Sequence, residues 1–201
     1  MSDTNRQEAE RVAKRLNGFF HALFGAWLGA TAVFWLQAWG PMRSYASEQA
    51  ELPVLAWFLA SVFAGFLSML LPNSYYALRK PSETVRFYEG LGILRLRYWM
   101  TDGDFVRLRA RRIDPGYVVD GSHRSLPDRL EMTRKNERAH FGFLLFGLIT
   151  AAAASIAGWW GWTLLISIGN LVVNLLPIFL QRYTRARVIR LLNRRGSTAF
   201  P

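Results

Sequence analysis

The chain has 201 residues, half of them hydrophobic, and a net charge of +11, a pairing foreign to an ordinary soluble domain. Charge and hydrophobicity are segregated along the sequence, as in a membrane protein. The absence of cysteine excludes a disulfide framework and a thiolate metal site, and because the basic residues hug the ends of the apolar runs, nucleic acid is not the expected partner.

Residues 1–17 form a polar lead-in, amphipathic or disordered, with Arg11, Lys14 and Arg15 just ahead of the first apolar run. That run ends without a small-residue cleavage pattern and three more follow it, so it reads as a retained span. The first hairpin of spans covers residues 18–72. In its first span, about 18–39, Gly18, Ala22, Gly25, Gly29 and Ala32 recur at steps of 4, 3, 4 and 3, a stripe that lets another helix approach closely. Trp35 and Trp39 are expected in the interfacial belt, as are most of the other tryptophans, and Gly40-Pro41 ends the helix. The second span, about 52–71, tolerates Pro53 in its first turn and carries Ala60, Ala64 and Ser68 as its small stripe.

Residues 73–140 are the only long polar segment. SETVRFYEGLGILRLRYWM (82–100) is too charged to cross a membrane and apolar enough to lie along its headgroups. TDGD (101–104) reads as a turn, FVRLRARR as a short strand or more interfacial helix, and the following Pro/Gly-rich stretch, which holds His123, as a surface loop. DRLEMTRKNERAH is a helix feeding the third span. The second hairpin covers residues 141–181. Its first span has a stripe of Gly147, Ala151, Ala154 and Gly158, which projects back onto His140, and a tight turn at Trp159-Trp160-Gly161 leads into the last span. There Thr163, Ser167, Asn170, Asn174, Pro177 and Gln181 recur at steps of 4, 3, 4, 3 and 4, on one narrow face at 100° per residue. A face with two asparagines in line is turned to protein, water or a ligand rather than lipid. Pro177 can free a backbone carbonyl in the preceding turn and widen the helix near Asn174. A basic tail, residues 182–201, closes the chain.

Lysine and arginine number four in the lead-in, fourteen in the long polar segment and six in the tail, against one in the first short loop and none in the tight turn. The positive-inside rule therefore places both termini and the long segment on the cytoplasmic side of the bacterial inner membrane. The expected fold is an all-α membrane protein of four transmembrane helices, with an amphipathic interfacial segment between the second and third.

This orientation puts His21, Glu137, His140, Asn174, Gln181 and Arg182 at one depth. Glu137 and His140 are three apart and share a helix face. An imidazole there can take a hydroxyl proton as the oxygen attacks an acyl carbonyl, a carboxylate one turn away can orient it, and Asn or Arg donors can hold the developing oxyanion. The bland alternative pairs Glu137 with Arg134 or Arg138 on a solvated helix end and makes His140 an interfacial anchor. Asn170, the deeper of the two asparagines, has interhelical bonding as its competing reading, while Asn174 lies nearer the basic rim. Glu-x-x-His is also the ligand pair of di-iron bundles, but those need the motif twice and two further carboxylates. Here it occurs once, so no metal and no cofactor is expected. The basic rim is expected to meet anionic lipid headgroups.

The segment NLVVNLLPIFLQRYTRARVIRLL (170–192) resembles the closing part of the glycosyl-4,4'-diaponeurosporenoate acyltransferase family, whose Asn-rich, Pro-containing last span runs into a Gln-Arg-Tyr-x-Arg-x-Arg signature. Here those positions are Asn174, Pro177, Gln181, Arg182, Tyr183, Arg185 and Arg187. NERAH (136–140) is similar to the family's Glu-x-x-His, and FYEGLGILRLRYWMTD (87–102) to its Glu-then-Trp segment, which picks out Glu89 and Trp99. The resemblance covers about residues 50–192 and thins over 103–130, where FVRLRARRIDPG replaces the family's Lys-rich run. It implies transfer of a fatty acyl group to a sugar hydroxyl of a glycosylated carotenoid-like acceptor, with His140 and Glu137 catalytic and the remaining positions binding acyl donor or acceptor. The competing expectation is a non-catalytic accessory subunit that docks other membrane subunits through its small stripes and aromatic belts.

Overall fold

The computed structural model describes residues 3–39, 53–78, 84–118 and 125–194; Arg43, His123 and Arg195 lie outside these. All the regular elements among them are helices: α1 (Asp3–Trp39), α2 (Val54–Met69), α3 (Val85–Gly90), α4 (Ile93–Trp99), α5 (Asp104–Ile113), α6 (Leu126–Ile156), α7 (Trp160–Asn170) and α8 (Leu176–Arg194). A π-helical stretch, Leu171–Leu175, joins α7 to α8 without a break. FVRLRARR, which alternates too briefly to distinguish strand from helix, lies in α5. Three helical runs are long and apolar enough to cross a membrane, and α2, with 16 residues, is a shorter apolar helix.

The chain divides into two compact units. One comprises Phe24–Ala77 and Arg134–Ile178. Its centre is Phe34, Trp35, Ala38, Ala151, Ala154 and Ile166, with Phe58 and Trp162 packed around them. Three tryptophans are satisfied inside this unit. The indole N–H of Trp27 donates to the Ile166 carbonyl at 3.1 Å, that of Trp35 to Thr150 Oγ1 at 3.3 Å and that of Trp162 to Gln37 Oε1 at 2.9 Å. Trp35 is thus a core residue, not the belt residue its position suggested, because a partner helix supplies the acceptor that its N–H would otherwise seek at the membrane surface. Trp39 is exposed.

Glycines set the helix approaches in this unit. A Cβ on Gly65 would stand 2.9 Å from the Gly142 carbonyl oxygen, so α2 and α6 meet nearly backbone to backbone. The buried face of α2 is accordingly Ser61, Gly65 and Ser68, one residue round from the expected Ala60, Ala64 and Ser68. On α6, Gly147, Ala151 and Ala154 are buried as the stripe required. A Cβ on Gly147 would come within 2.7 Å of both Trp27 and Asn170, and one on Gly169 would strike the Trp27 ring. The stripe of α1 behaves differently: Gly18, Ala22, Gly25, Gly29 and Ala32 are all exposed, and nothing lies within 4 Å of a Cβ built on any of the three glycines.

α6 ends in a Schellman turn. Gly158 takes φ +73°, its N–H reaches the Ser155 carbonyl at 3.0 Å, and the Trp159 N–H reaches the Ala154 carbonyl at 2.9 Å. The turn thus falls at Ala157–Trp159, ahead of the Trp159-Trp160-Gly161 expected, and Trp160 already belongs to α7. Gly158→Ala is expected to lower stability by about 1 kcal/mol, because an L side chain resists this left-handed backbone; thermal unfolding of the purified variant in detergent would show it. After α2, Arg138 closes the helix end, donating to the Leu71 carbonyl at 3.2 Å and to Asn73 Oδ1 at 2.9 Å while lying over the Tyr76 ring.

The second unit comprises Met1–Leu23, Leu78–Thr133 and Phe179–Pro201. The lead-in is helical from Asp3, and Ala9 and Ala13 pack on Val106 and Ala110 of α5. Asn17 ties α1 to the turn before α5: its amide donates to Asp102 Oδ1 at 2.6 Å and its carbonyl oxygen accepts from the Asp102 N–H at 2.9 Å. Arg97 of α4 pairs with Asp104 of α5 at 2.6 Å. Gly103 is needed between them, since a Cβ there would strike the Arg97 and Met100 carbonyls. Tyr88, Ile93 and Tyr183 form a cluster joining α3 and α4 to α8, and Leu130, Val188 and Leu192 join α6 to α8. The basic tail is therefore helical, with one apolar side buried, as far as Arg194.

Candidate functional site

The sequence-predicted residues fall into two groups, one in each unit. The first belongs to α6 and the π-helical stretch. His140 Nδ1 lies 3.3 Å from Asn174 Oδ1, Asn174 Nδ2 donates to Asn170 Oδ1 at 2.8 Å, and Asn170 Nδ2 donates to the Leu144 carbonyl at 3.0 Å. The chain of bonds starts on α6, crosses to the last helical run and returns to α6 one turn further on. It is directional: an amide oxygen only accepts, so Nδ1 of His140 carries the hydrogen. In the neutral ring Nε2 is then left with its lone pair.

The local sequence explains why Asn174 faces the imidazole. Pro177 has no N–H to return toward the Val173 carbonyl four residues earlier, and the helix relaxes here into π geometry, with the Leu176 N–H reaching back five residues to the Leu171 carbonyl. The widening anticipated from Pro177 is present.

Asn174 and Asn170 are buried, at 0% and 1% exposure, so the half-buried imidazole, not the amides, is the accessible end of this group. Glu137, one turn before His140, is 1% exposed. A carboxylate so enclosed does not stand on a solvated helix end. Its charge is felt at Tyr76, whose phenol is pushed above its ordinary range chiefly by burial, with Arg138 opposing and Glu137 adding to the rise. The Tyr76 hydroxyl accordingly stays protonated and donates to the Ser68 carbonyl at 2.6 Å.

The second group lies on α3 and α8. The Tyr183 hydroxyl donates to Glu89 Oε1 at 3.3 Å, and the Arg187 guanidinium stands 5.7 Å from the Tyr183 ring centre. Glu89, Tyr183 and Arg187 line a cavity of ≈ 310 Å³ together with Arg97, Arg190 and Arg194. The structure thus unites three of the positions singled out by resemblance and adds arginines that the sequence reading left in the tail. Their signal was present: from Tyr183, steps of 4, 3 and 4 reach Arg187, Arg190 and Arg194, one face of a helix.

The remaining positions lie apart from this cavity's lining. Trp99 is 58% exposed at the end of α4, packed on Tyr98 and Phe105. Arg185 is 1% exposed, and its Nε donates to Thr133 Oγ1 at 3.4 Å. Gln181 and Arg182 are half-buried on α8. His21 is exposed, with Nδ1 3.0 Å from the Asn17 carbonyl. Among the described residues no three His, Asp or Glu side chains converge as a metal site would require.

A family model described as glycosyl-4,4'-diaponeurosporenoate acyltransferase matches residues 72–194, more than half of the chain. The chain belongs to this family. Both groups lie within the matched region, as does the stretch 103–130 where the sequence likeness thinned, whereas α1 and α2 precede it. Membership places the chain among acyltransferases of carotenoid biosynthesis, which suits its long apolar helices. No curated protein and no solved structure matches the chain significantly.

Proposed function

We propose that the protein transfers a fatty acyl group to a hydroxyl of a glycosylated, carotenoid-like acceptor at the cytoplasmic face of the bacterial inner membrane, with α1, α2, α6 and the α7–α8 run as four spans, both termini cytoplasmic, and α3–α5 lying along the surface. The observation that carries this reading is the hydrogen-bonded chain from Leu144 through Asn170 and Asn174 to His140, inside the region that matches an acyltransferase family. The chain fixes the tautomer in which Nε2 is a base.

His140 takes the proton of the acceptor hydroxyl as its oxygen attacks the acyl carbonyl. The new ester C–O bond forms, the bond to the leaving group breaks, and the proton passes from the imidazolium to the leaving group. Asn174 is a positioning residue: it holds Nδ1–H, the task an aspartate performs in a serine hydrolase triad. Glu137, buried one turn away, favours the imidazolium that forms in the reaction.

The test is expression of the chain beside a glycosyl-4,4'-diaponeurosporenoate acceptor. Mass spectrometry is expected to show a product heavier by one fatty acyl group, absent from cells without the chain; an unmodified acceptor overturns the reading. A second reading, a non-catalytic subunit docking another membrane helix, is favoured by the exposed stripe at Gly25, Gly29 and Ala32. Purification without transfer activity in a stable large assembly would support it.

A further inference from the structure

The arginine cavity on α8 adjoins a second, more apolar one. The first holds Arg187, Arg190 and Arg194 against one carboxylate, Glu89, whose Oε1 is engaged by Tyr183. Its other guanidinium, Arg97, is neutralised by Asp104. Among the described residues no carboxylate pairs with Arg187, Arg190 or Arg194. Three guanidiniums on successive turns, spread over about 10 Å at 1.5 Å per residue, make a site for a phosphate ester, which arginine binds through paired N–H donors. The neighbouring cavity, ≈ 850 Å³, has an apolar side of Leu78, Val85, Ala186 and Ile189 and a polar rim that includes Thr84, Arg86 and Asn193. The two share Val85, Arg190 and Arg194, so cationic and apolar walls meet along one edge.

This arrangement restricts the ligand. A single molecule filling both cavities carries its apolar chain within a few bonds of its phosphate. Glycerophospholipids are built so, with the acyl ester one carbon removed from the phosphorylated position of glycerol. An acyl thioester of coenzyme A is not, because a long polar arm separates its phosphates from the acyl group. Glu89, beside the guanidiniums, offers an acceptor for a headgroup hydroxyl.

We propose that these joined cavities bind an anionic glycerophospholipid and that it is the acyl donor, an inference that rests on the acyltransferase reading above. The reaction is a transesterification. The acyl C–O bond to glycerol breaks as the bond to the acceptor oxygen forms, and the acceptor's proton ends on the glycerol oxygen. The products are the acylated glycoside and a lysophospholipid, with no further co-reactant.

The experiment uses the full chain in neutral detergent, dioleoyl phosphatidylglycerol or palmitoyl-coenzyme A as alternative donors, and the glycosyl-4,4'-diaponeurosporenoate acceptor. Lysophosphatidylglycerol is expected to appear one for one with acylated product. The double variant Arg190→Gln/Arg194→Gln, at exposed positions where folding can be verified by size-exclusion chromatography, is expected to bind phosphatidylglycerol at least tenfold more weakly. Transfer from palmitoyl-coenzyme A alone, or binding that ignores the two substitutions, overturns the proposal. His140→Gln separates this from the assignment of the base: it should stop lysophospholipid formation and leave phosphatidylglycerol binding intact. Undiminished transfer by that variant overturns the base and spares the donor, whereas arginine-independent binding with His140-dependent transfer does the reverse.

Discussion

His140→Ala is expected to slow acyl transfer by about 10²–10⁴-fold, the usual contribution of a positioned general base. The substitution also deprives Asn174 Oδ1 of its donor in a place closed to water, and an orphaned buried acceptor costs about 1–3 kcal/mol. Lost activity alone would therefore confuse chemistry with folding. His140→Gln resolves the two, because a glutamine amide can still donate toward Asn174 but cannot serve as a base. The expected pattern is an unfolding midpoint close to wild type for glutamine, a lower one for alanine, and a similarly low rate for both. A glutamine variant working at the wild-type rate would remove His140 from the mechanism. Rates measured with purified, folded protein against the glycosylated acceptor decide the matter.

Gly147→Val is expected to lower stability strongly. A Cβ at position 147 already meets the Trp27 ring and the Asn170 amide at 2.7 Å, and the further methyls have nowhere to go. Overpacking of this kind costs about 1–3 kcal/mol when neighbours can shift. Neither neighbour is free to do so: Trp27 is bonded to the Ile166 carbonyl and fits against Gly169, and Asn170 is bonded to both Leu144 and Asn174. Displacing Asn170 would also disturb the support of His140, so transfer should fall with the unfolding midpoint. Thermal unfolding of Gly147→Ala and Gly147→Val in the same detergent should show a graded decline. Midpoints equal to wild type would mean that Trp27 does not occupy the notch.

Periodicity along single helices carried much of this. The stripe ending at Gly158, its backward projection onto His140 and the widening before Pro177 are properties of one helix at a time, and 100° per residue suffices to read them. What escaped depended on partners distant in sequence. The packing face of α2 lies one residue round from the expected one because Gly65 has its counterpart in Gly142, 77 residues further on, and α2 alone offers two adjacent small faces. Trp35 was assigned to the belt from its depth, whereas Thr150 provides its acceptor within the unit. The arginines at 190 and 194 looked like a solvated basic tail until α3 supplied Glu89 and Val85 as the opposite wall of a cavity. Asn174 is buried and hydrogen-bonded within this unit, to His140 and Asn170, which its position near the basic rim does not reveal because both partners come from the fold.

The π-helical stretch has a consequence for how this segment tolerates length change. Five residues, Leu171–Leu175, occupy a turn that closes on a carbonyl five positions back. A chain shortened by one residue there would regain ordinary α spacing, and Asn174 would turn from its present bearing. The imidazole would lose its partner without any side chain having been replaced. A single-codon deletion in this turn should therefore imitate an active-site lesion, while the apolar composition that makes the segment look like an ordinary membrane helix stays unaltered.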